Sequence, residues 1–165
     1  MAEHILKREI TIDRPRPEVF EFFSDAANLQ RITPPELGFK IITPQPIEMR
    51  EGATIEYRIK LNGFPMNWKT LISKWDSPRE FVDEQLSGPY KQWIHRHTFE
   101  EVGPNQTLIT DEVRYRLPIE LFGDIAHYFI ERQLEYIFDF RETAVMRELA
   151  PAPAGSFSTR GLEAA

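Results

Sequence analysis

Two histidines, His95 and His97, stand two residues apart in the run GPYKQWIHRHTFEE, residues 88–101. The next run, TLITDEVRYRL, carries Asp111. Strand side chains alternate between faces. Lys91, Trp93, His95, His97 and Phe99 therefore share one face, opposite Gln92, Ile94, Arg96, Thr98 and Glu100. In the next run Ile109, Asp111, Val113, Tyr115 and Leu117 form the apolar face, against Glu112, Arg114 and Arg116. Asp111 is the one charged residue there, and a buried unpaired carboxylate is expensive. The short loop between the runs sets Asp111 opposite His95, His97 or Phe99, with His97 the central choice. The expectation is an inward His–Asp contact in which each group shifts the other's pKa.

That set admits more than one chemistry. His95 and His97 with Asp111 make a two-histidine, one-carboxylate metal set, since same-face strand residues lie about 6.6–6.8 Å apart. Against it, the further ligands and glycine spacing of a cupin are missing, and His4 and His127 are remote in sequence. No metal and no other cofactor is expected. A His–Asp pair in a semi-apolar cavity suits proton transfer on a carbonyl substrate, with His97, Asp111 and His95 as candidate catalytic residues. No serine or cysteine nucleophile motif accompanies them. The third chemistry is passive binding, in which a few oriented polar groups interrupt an apolar wall. Trp68, Trp93, Phe99, Val113, Tyr115 and Phe138 would form that wall, and His95, His97, Asp111 and Gln85 the polar groups. A bland alternative stays open, in which the histidines are satisfied core residues and the aromatics simple packing.

The elements that must position these residues follow from periodicity. HILKREITI (4–12) reads as a strand, broken by Pro15 and Pro17. Pro17 suits the first turn of a helix, and Val19, Phe20, Phe22 and Phe23 fall on one helical stripe. A second short helix is expected over Ala26–Ile32, stopped by Thr33-Pro34-Pro35. TIEYRIKL (54–61) then alternates, with Ile55, Tyr57, Ile59 and Leu61 on one face, and Asn62-Gly63 signals a hairpin. Strands are expected over Asn67–Trp75, Glu80–Leu86, Tyr90–Val102 and Thr107–Leu117, with antiparallel neighbours because the links are short. In REFVDEQL, Phe81, Asp83 and Gln85 share a face, and the turn Ser87-Gly88-Pro89 brings Asp83 near Lys91, Trp93 or His95. Val82 and Leu86 compete for the inward side, so Asp83 and Gln85 are carried as cavity candidates. Asp124–Leu149 lacks proline and glycine and reads as one long amphipathic helix. It is the only element long enough to cover the inner face of the sheet. Its Arg132 and Arg141 either reach an anionic group at a cavity mouth or lie on the solvated face.

Composition removes whole classes of function. The chain has 165 residues and 41% apolar content, enough for one domain with its own core. It has no cysteine, which excludes disulfides, zinc–thiolate sites and cysteine nucleophiles. A formal net charge of −6 without a basic cluster argues against nucleic acid as a partner. No run is apolar enough to insert in a membrane, and MAEHILKREI carries charges where a signal peptide would be apolar. A cytoplasmic protein, monomeric or weakly dimeric, is expected, with residues 1–149 as the domain and 150–165 as a flexible tail.

The element order, the opening TIDRPRPEVFEFFSDAANLQRITPPELGF, and the run FVDEQLSGPYKQWIHRHTFE followed by DEVRYRLP resemble the START-like, or SRPBCC, superfamily. Within it they are similar to its bacterial ligand-binding, polyketide cyclase/dehydrase-type members. The resemblance covers Met1 to about Leu149. It implies an α+β helix-grip fold, a curved antiparallel sheet wrapped around a long C-terminal helix, with two short helices after the first strand. It also implies an interior cavity for a small hydrophobic or amphipathic molecule. The superfamily spans binders, cyclase-like enzymes acting on polyketide-like substrates, and a co-chaperone activator, so a protein-interaction role stays open beside the other two.

Overall fold

The period-two runs in the middle of the chain become a single antiparallel meander. The computed structural model describes residues 2–61, 63–117 and 123–150, with side chains throughout except over 123–127. Asn62, the segment 151–165 and the side chain of His127 thus lie outside the described residues. The strands are β1 (His4–Ile12), β2 (Lys40–Ile41), β3 (Thr54–Leu61), β4 (Phe64–Asp76), β5 (Glu80–Ser87), β6 (Gln92–Gly103) and β7 (Gln106–Arg116). They form one sheet in the order β1-β7-β6-β5-β4-β3-β2. The first strand therefore closes against the last, with Leu6 opposite Val113 and Ile10 opposite Ile109.

Between β1 and β2 the chain forms α1 (Arg16–Ser24), which carries Pro17 in its first turn and buries Val19 and Phe20. The second short helix contracts to a 3₁₀ turn, Ala26–Gln30, with Asp25 accepting from the Ala27 N–H at 2.9 Å. Asn28 turns back to donate to the Phe22 carbonyl at 3.0 Å, and Thr33 donates to the Leu29 carbonyl. A second 3₁₀ turn, Pro35–Leu37, and the two-residue β2 go beyond the sequence reading, because neither is long enough to show a period.

Inward and outward faces follow the alternation. Trp93, His95, His97 and Phe99 are buried on β6, and Ile109, Asp111, Val113 and Tyr115 on β7. Lys91 precedes β6 and is exposed. On β4 the even-numbered Trp68, Thr70 and Ile72 are buried. The register shift between Ile72 and Lys74 then changes the parity, as an extra residue in one strand must. Trp75 consequently turns toward Phe20 and Phe81, with ring centroids 5.2 and 5.6 Å away.

The long helix α2 (Gly123–Glu148) lays one stripe on this sheet. Leu134, Phe138 and Val145 are buried along it and Arg141 is half-buried, at spacings of one and two turns. Leu134 and Phe138 pack with Trp68, Trp93 and Tyr115. Ala144 and Val145 pack with Phe20, Phe81 and Phe99 in a second core. The polar residues of β5, β6 and β7 lie at the seam between the two.

Candidate functional site

Register brings four titratable side chains together. His97 stands directly opposite Asp111 across β6–β7, and Asp83 directly opposite His95 across β5–β6. Each carboxylate hydrogen-bonds the other histidine, along the diagonal. The Asp83 Oδ2–His97 Nε2 distance is 2.9 Å, and the Asp111 Oδ1–His95 Nε2 distance is 3.0 Å. The direct pairs are in ionic contact: Asp111 Oδ1 lies 2.7 Å from His97 Nδ1, out of line for a hydrogen bond, and Asp83 Oδ2 lies 3.7 Å from His95 Nδ1. The two imidazoles lie with centroids 3.7 Å apart and planes tilted by 39°, between two carboxylates. Phe81 stacks on His97 at 4.2 Å and Phe138 meets His95 edge-on at 5.6 Å.

Burial and charge work against each other here. Burial pulls His97 toward neutrality, but the charge of Asp111, with the hydrogen bond to Asp83 and the charge of Asp83, outweighs it and raises its pKa. His95 is lowered, by burial first and by the charge of His97 second, despite its bond to Asp111. Burial would raise both carboxyls. For Asp83 the hydrogen bond from His97, the two histidine charges and Arg141 overcome this and lower it. For Asp111 the charge of His97, with the hydrogen bond of His95 and its charge, holds it well below the usual carboxylate range. These directions favour a proton on His97 over one on His95, between two carboxylates and beside the Arg141 charge.

The cluster opens onto an internal cavity of about 140 Å³ between the sheet and α2. Trp68, Asp83, Trp93, His95, His97 and Phe138 line it. Asp111 sits behind the histidines, in a small recess shared with Arg8, Phe138 and Arg141. Four further candidates also do not reach the wall. Gln85 is occupied by the β5–β6 turn: its Nε2 donates to the Tyr90 carbonyl at 2.6 Å and its Oε1 accepts from the Tyr90 N–H at 3.2 Å. Phe99 packs edge-on against Phe20 and Phe23. Val113 and Tyr115 are taken up in the core beneath Trp93, with Tyr115 stacked on His4. Inward parity makes a residue buried, and what packs over it decides whether it meets a cavity.

Other lining residues went unassigned in the sequence reading. Tyr57, Ile59 and Leu61 form the opposite wall, and their alternation on β3 was the available signal. Phe23 joins from the apolar stripe of α1, and Leu37 from the second 3₁₀ turn, which is too short to show a period. Arg141 is at the wall, its guanidinium 5.1 Å over the Phe138 ring and its Nε buried without a partner. Arg132 is exposed and bonds Tyr128 on the outer face of α2. A wider groove beside Glu18, Gln45 and Glu148 lies outside the sheet–helix interior and holds none of the cluster.

Chemically, the cluster can hold a proton, accept one, or present ligand atoms to a cation. Asp83, His95 and His97 can each supply one ligand atom, and those three atoms lie within 4.8 Å of one another.

Comparison with known proteins agrees with this architecture. Residues 12–139 match the sequence profile of the family described as polyketide cyclase/dehydrase and lipid transport. No curated protein matches the chain by sequence. Among solved structures, it is similar to the Zhui aromatase/cyclase of a Streptomyces species, with a TM-score of 0.72 and 16% identity over 90% of this chain and 94% of that one. A START superfamily protein from Mycobacterium smegmatis superposes with a TM-score of 0.67 at 13% identity, over 88% of this chain and 99% of that one. The major latex-like protein 151 of Panax ginseng gives 0.64 at 15% identity, over 90% and 99%. At such identities the likeness concerns the fold.

Proposed function

Because the chain belongs to the polyketide cyclase/dehydrase and lipid transport family, we propose that it binds a small amphipathic molecule between its sheet and α2. The carrying observation is the cavity itself: an apolar, largely aromatic wall interrupted by one compact polar cluster. That mixture orients a ligand, with its polar end toward His97, Asp83 and Arg141 and its apolar body against Trp68, Trp93 and Phe138. Asp111 contributes from behind, by holding the histidines. A volume of about 140 Å³ suits one small ring, since a 150 Å³ engineered cavity elsewhere admits benzene. Among the described residues no helix is long and apolar enough to cross a membrane. On this reading the protein works in the cytoplasm as a monomer or weak dimer, with a small molecule and not nucleic acid as its partner.

Calorimetric titration of chelator-treated protein with p-cresol tests the reading. One saturable site is expected, lost when Ile137→Trp fills the cavity from α2. A wild-type protein that takes up no p-cresol, or an Ile137→Trp variant that binds it equally well, would overturn it. Native mass spectrometry of the purified protein is expected to show a small molecule retained unchanged. Conversion of a β-keto ester that is lost in His97→Ala would replace this reading with the acid/base enzyme.

A further inference from the structure

We propose that Asp83, His95 and His97 form a binding site for a divalent transition ion, of the zinc, cobalt or ferrous class, opening on the cavity. The chemistry is that of a two-histidine, one-carboxylate set with free positions. The candidate atoms are Asp83 Oδ2, His95 Nδ1 and His97 Nε2. Asp83 Oδ2 is 2.9 Å from the His97 nitrogen and 3.7 Å from the His95 nitrogen. Bonds of about 2.0–2.1 Å place tetrahedral ligands about 3.3 Å apart, so an ion fits with small rotations of the three side chains.

The second observation is Asp111. Ligating histidines characteristically hand their other ring nitrogen to a carboxylate, which fixes tautomer and ring direction. Here Asp111 holds His95 by a hydrogen bond and touches His97 by close ionic contact alone. Asp111 Oδ1 lies 3.0 Å from His95 Nε2 and 2.7 Å from His97 Nδ1. With those nitrogens protonated, His95 Nδ1 and His97 Nε2 present lone pairs toward Asp83. The ion takes the place of the proton now shared by His97 Nε2 and Asp83. Asp111 is outside the cavity lining while the three ligands are inside it, so supporting carboxylate and open positions fall on opposite sides.

Charge agrees. Two carboxylates and a divalent ion cancel, and both histidines become neutral. Arg141 is the cation that opposes loading. It leaves one positive charge, which an anionic ligand on the open position would neutralise: hydroxide, or an oxyanion of the cavity's occupant. Asp83 keeps 20% of its side-chain surface accessible, so the position is within reach of solvent or ligand. From sequence, Asp111 stood as the third ligand and the further ligands and glycine spacing of a cupin were missing; the close approach of Asp83 to both rings gives the third place to Asp83. The inference does not depend on the cavity taking an organic ligand.

The test is titration of the chelator-treated full chain with Zn²⁺ by calorimetry and with Co²⁺ by visible absorption. One ion per chain is expected, with the visible bands of low-coordinate cobalt. Asp83→Asn and His97→Gln, which keep size and hydrogen bonding, are expected to abolish it while far-ultraviolet circular dichroism stays wild-type. Asp111→Asn is expected to retain one site weakened by about 10–100-fold, the usual loss on removing a supporting carboxylate. His4→Ala is expected to bind as wild type. A wild-type protein that binds neither ion overturns the proposal, as does binding that survives folded Asp83→Asn and His97→Gln. Because the p-cresol titration uses metal-free protein, either result can fail without the other.

Discussion

Asp111 faces His97 squarely across the β6–β7 ladder, yet its hydrogen bond goes to His95. The His97 Nδ1 atom is 2.7 Å from the same oxygen but out of line. Asp111 thus bonds one imidazole and touches the other, and Asp83 does the reverse from the other side.

Removing that support is costly. Asp111→Ala leaves two buried rings facing an empty recess, and breaking a buried pair by deleting one partner costs about 3–5 kcal/mol. Denaturant unfolding at neutral pH measures this, and a loss under about 1 kcal/mol would contradict the buried pairing. In metal-free protein the pKa of His97 is expected to fall, because Asp111 supplies the leading upward influence on it. An unchanged His97 titration by NMR would sink the claim.

The pH dependence has a definite shape. Asp111 is held well below its ordinary 3.8, so its contribution is whole above that pH and lost as pH falls through the folded-state value. His97 is raised above 6.5, so its contribution is whole below that pH and lost as pH rises through its folded pKa. His95 is lowered below 6.5, so its contribution is present above that pH and lost as pH falls. The stability difference between wild type and Asp111→Asn, both metal-free, is expected to peak between these limits and shrink on both sides. Chemical unfolding from about pH 2 to 9 checks it, and a flat difference would refute it.

The β5–β6 turn depends on Gln85. A Cβ added at Gly88 would come 2.5 Å from Gln85 Oε1 and 2.7 Å from its Cδ, so Gly88→Ala must displace the clamp on Tyr90. Two hydrogen bonds at about 0.5–1.5 kcal/mol each give a loss of about 1–3 kcal/mol. Gln85→Ala is expected to cost a similar amount, and the double variant little more than either single one. Full additivity in a double-mutant cycle would show that Gly88 acts through something else.

Arg141 trades stability for recognition. Its buried, unpartnered Nε costs about 1–3 kcal/mol. Its position over Phe138 returns about 0.5–1 kcal/mol. Its charge beside Asp83 returns more. Arg141→Met is therefore expected to stay within about 1 kcal/mol of wild type in thermal unfolding. The same variant is expected to lose any preference for 4-hydroxybenzoate over p-cresol in calorimetry. A preserved preference would remove Arg141 from ligand recognition.

Much of this was legible in the sequence. Period two sorted Trp93, His95, His97 and Phe99 from their neighbours, and lone Asp111 had to find a partner on the facing strand because an unpaired buried charge is too costly. A short loop and shared parity then left His97 as the central choice, and the register is the observed one. The long helix and the meander followed from runs long enough to show their periods. Other features depended on the tertiary structure. The extra residue in β4 reverses parity before Trp75, and alternation carries no mark of it. Gln85 and Asp83 share a face, but the turn draws one to Tyr90 and leaves the other for His97. Which carboxylate bonds which histidine is a matter of side-chain rotamers on a twisted sheet, and rotamers are chosen by what packs around them. The cavity is likewise the space that α2, Trp68 and Phe138 leave unfilled together, a property of three segments distant in the chain and of none of them alone.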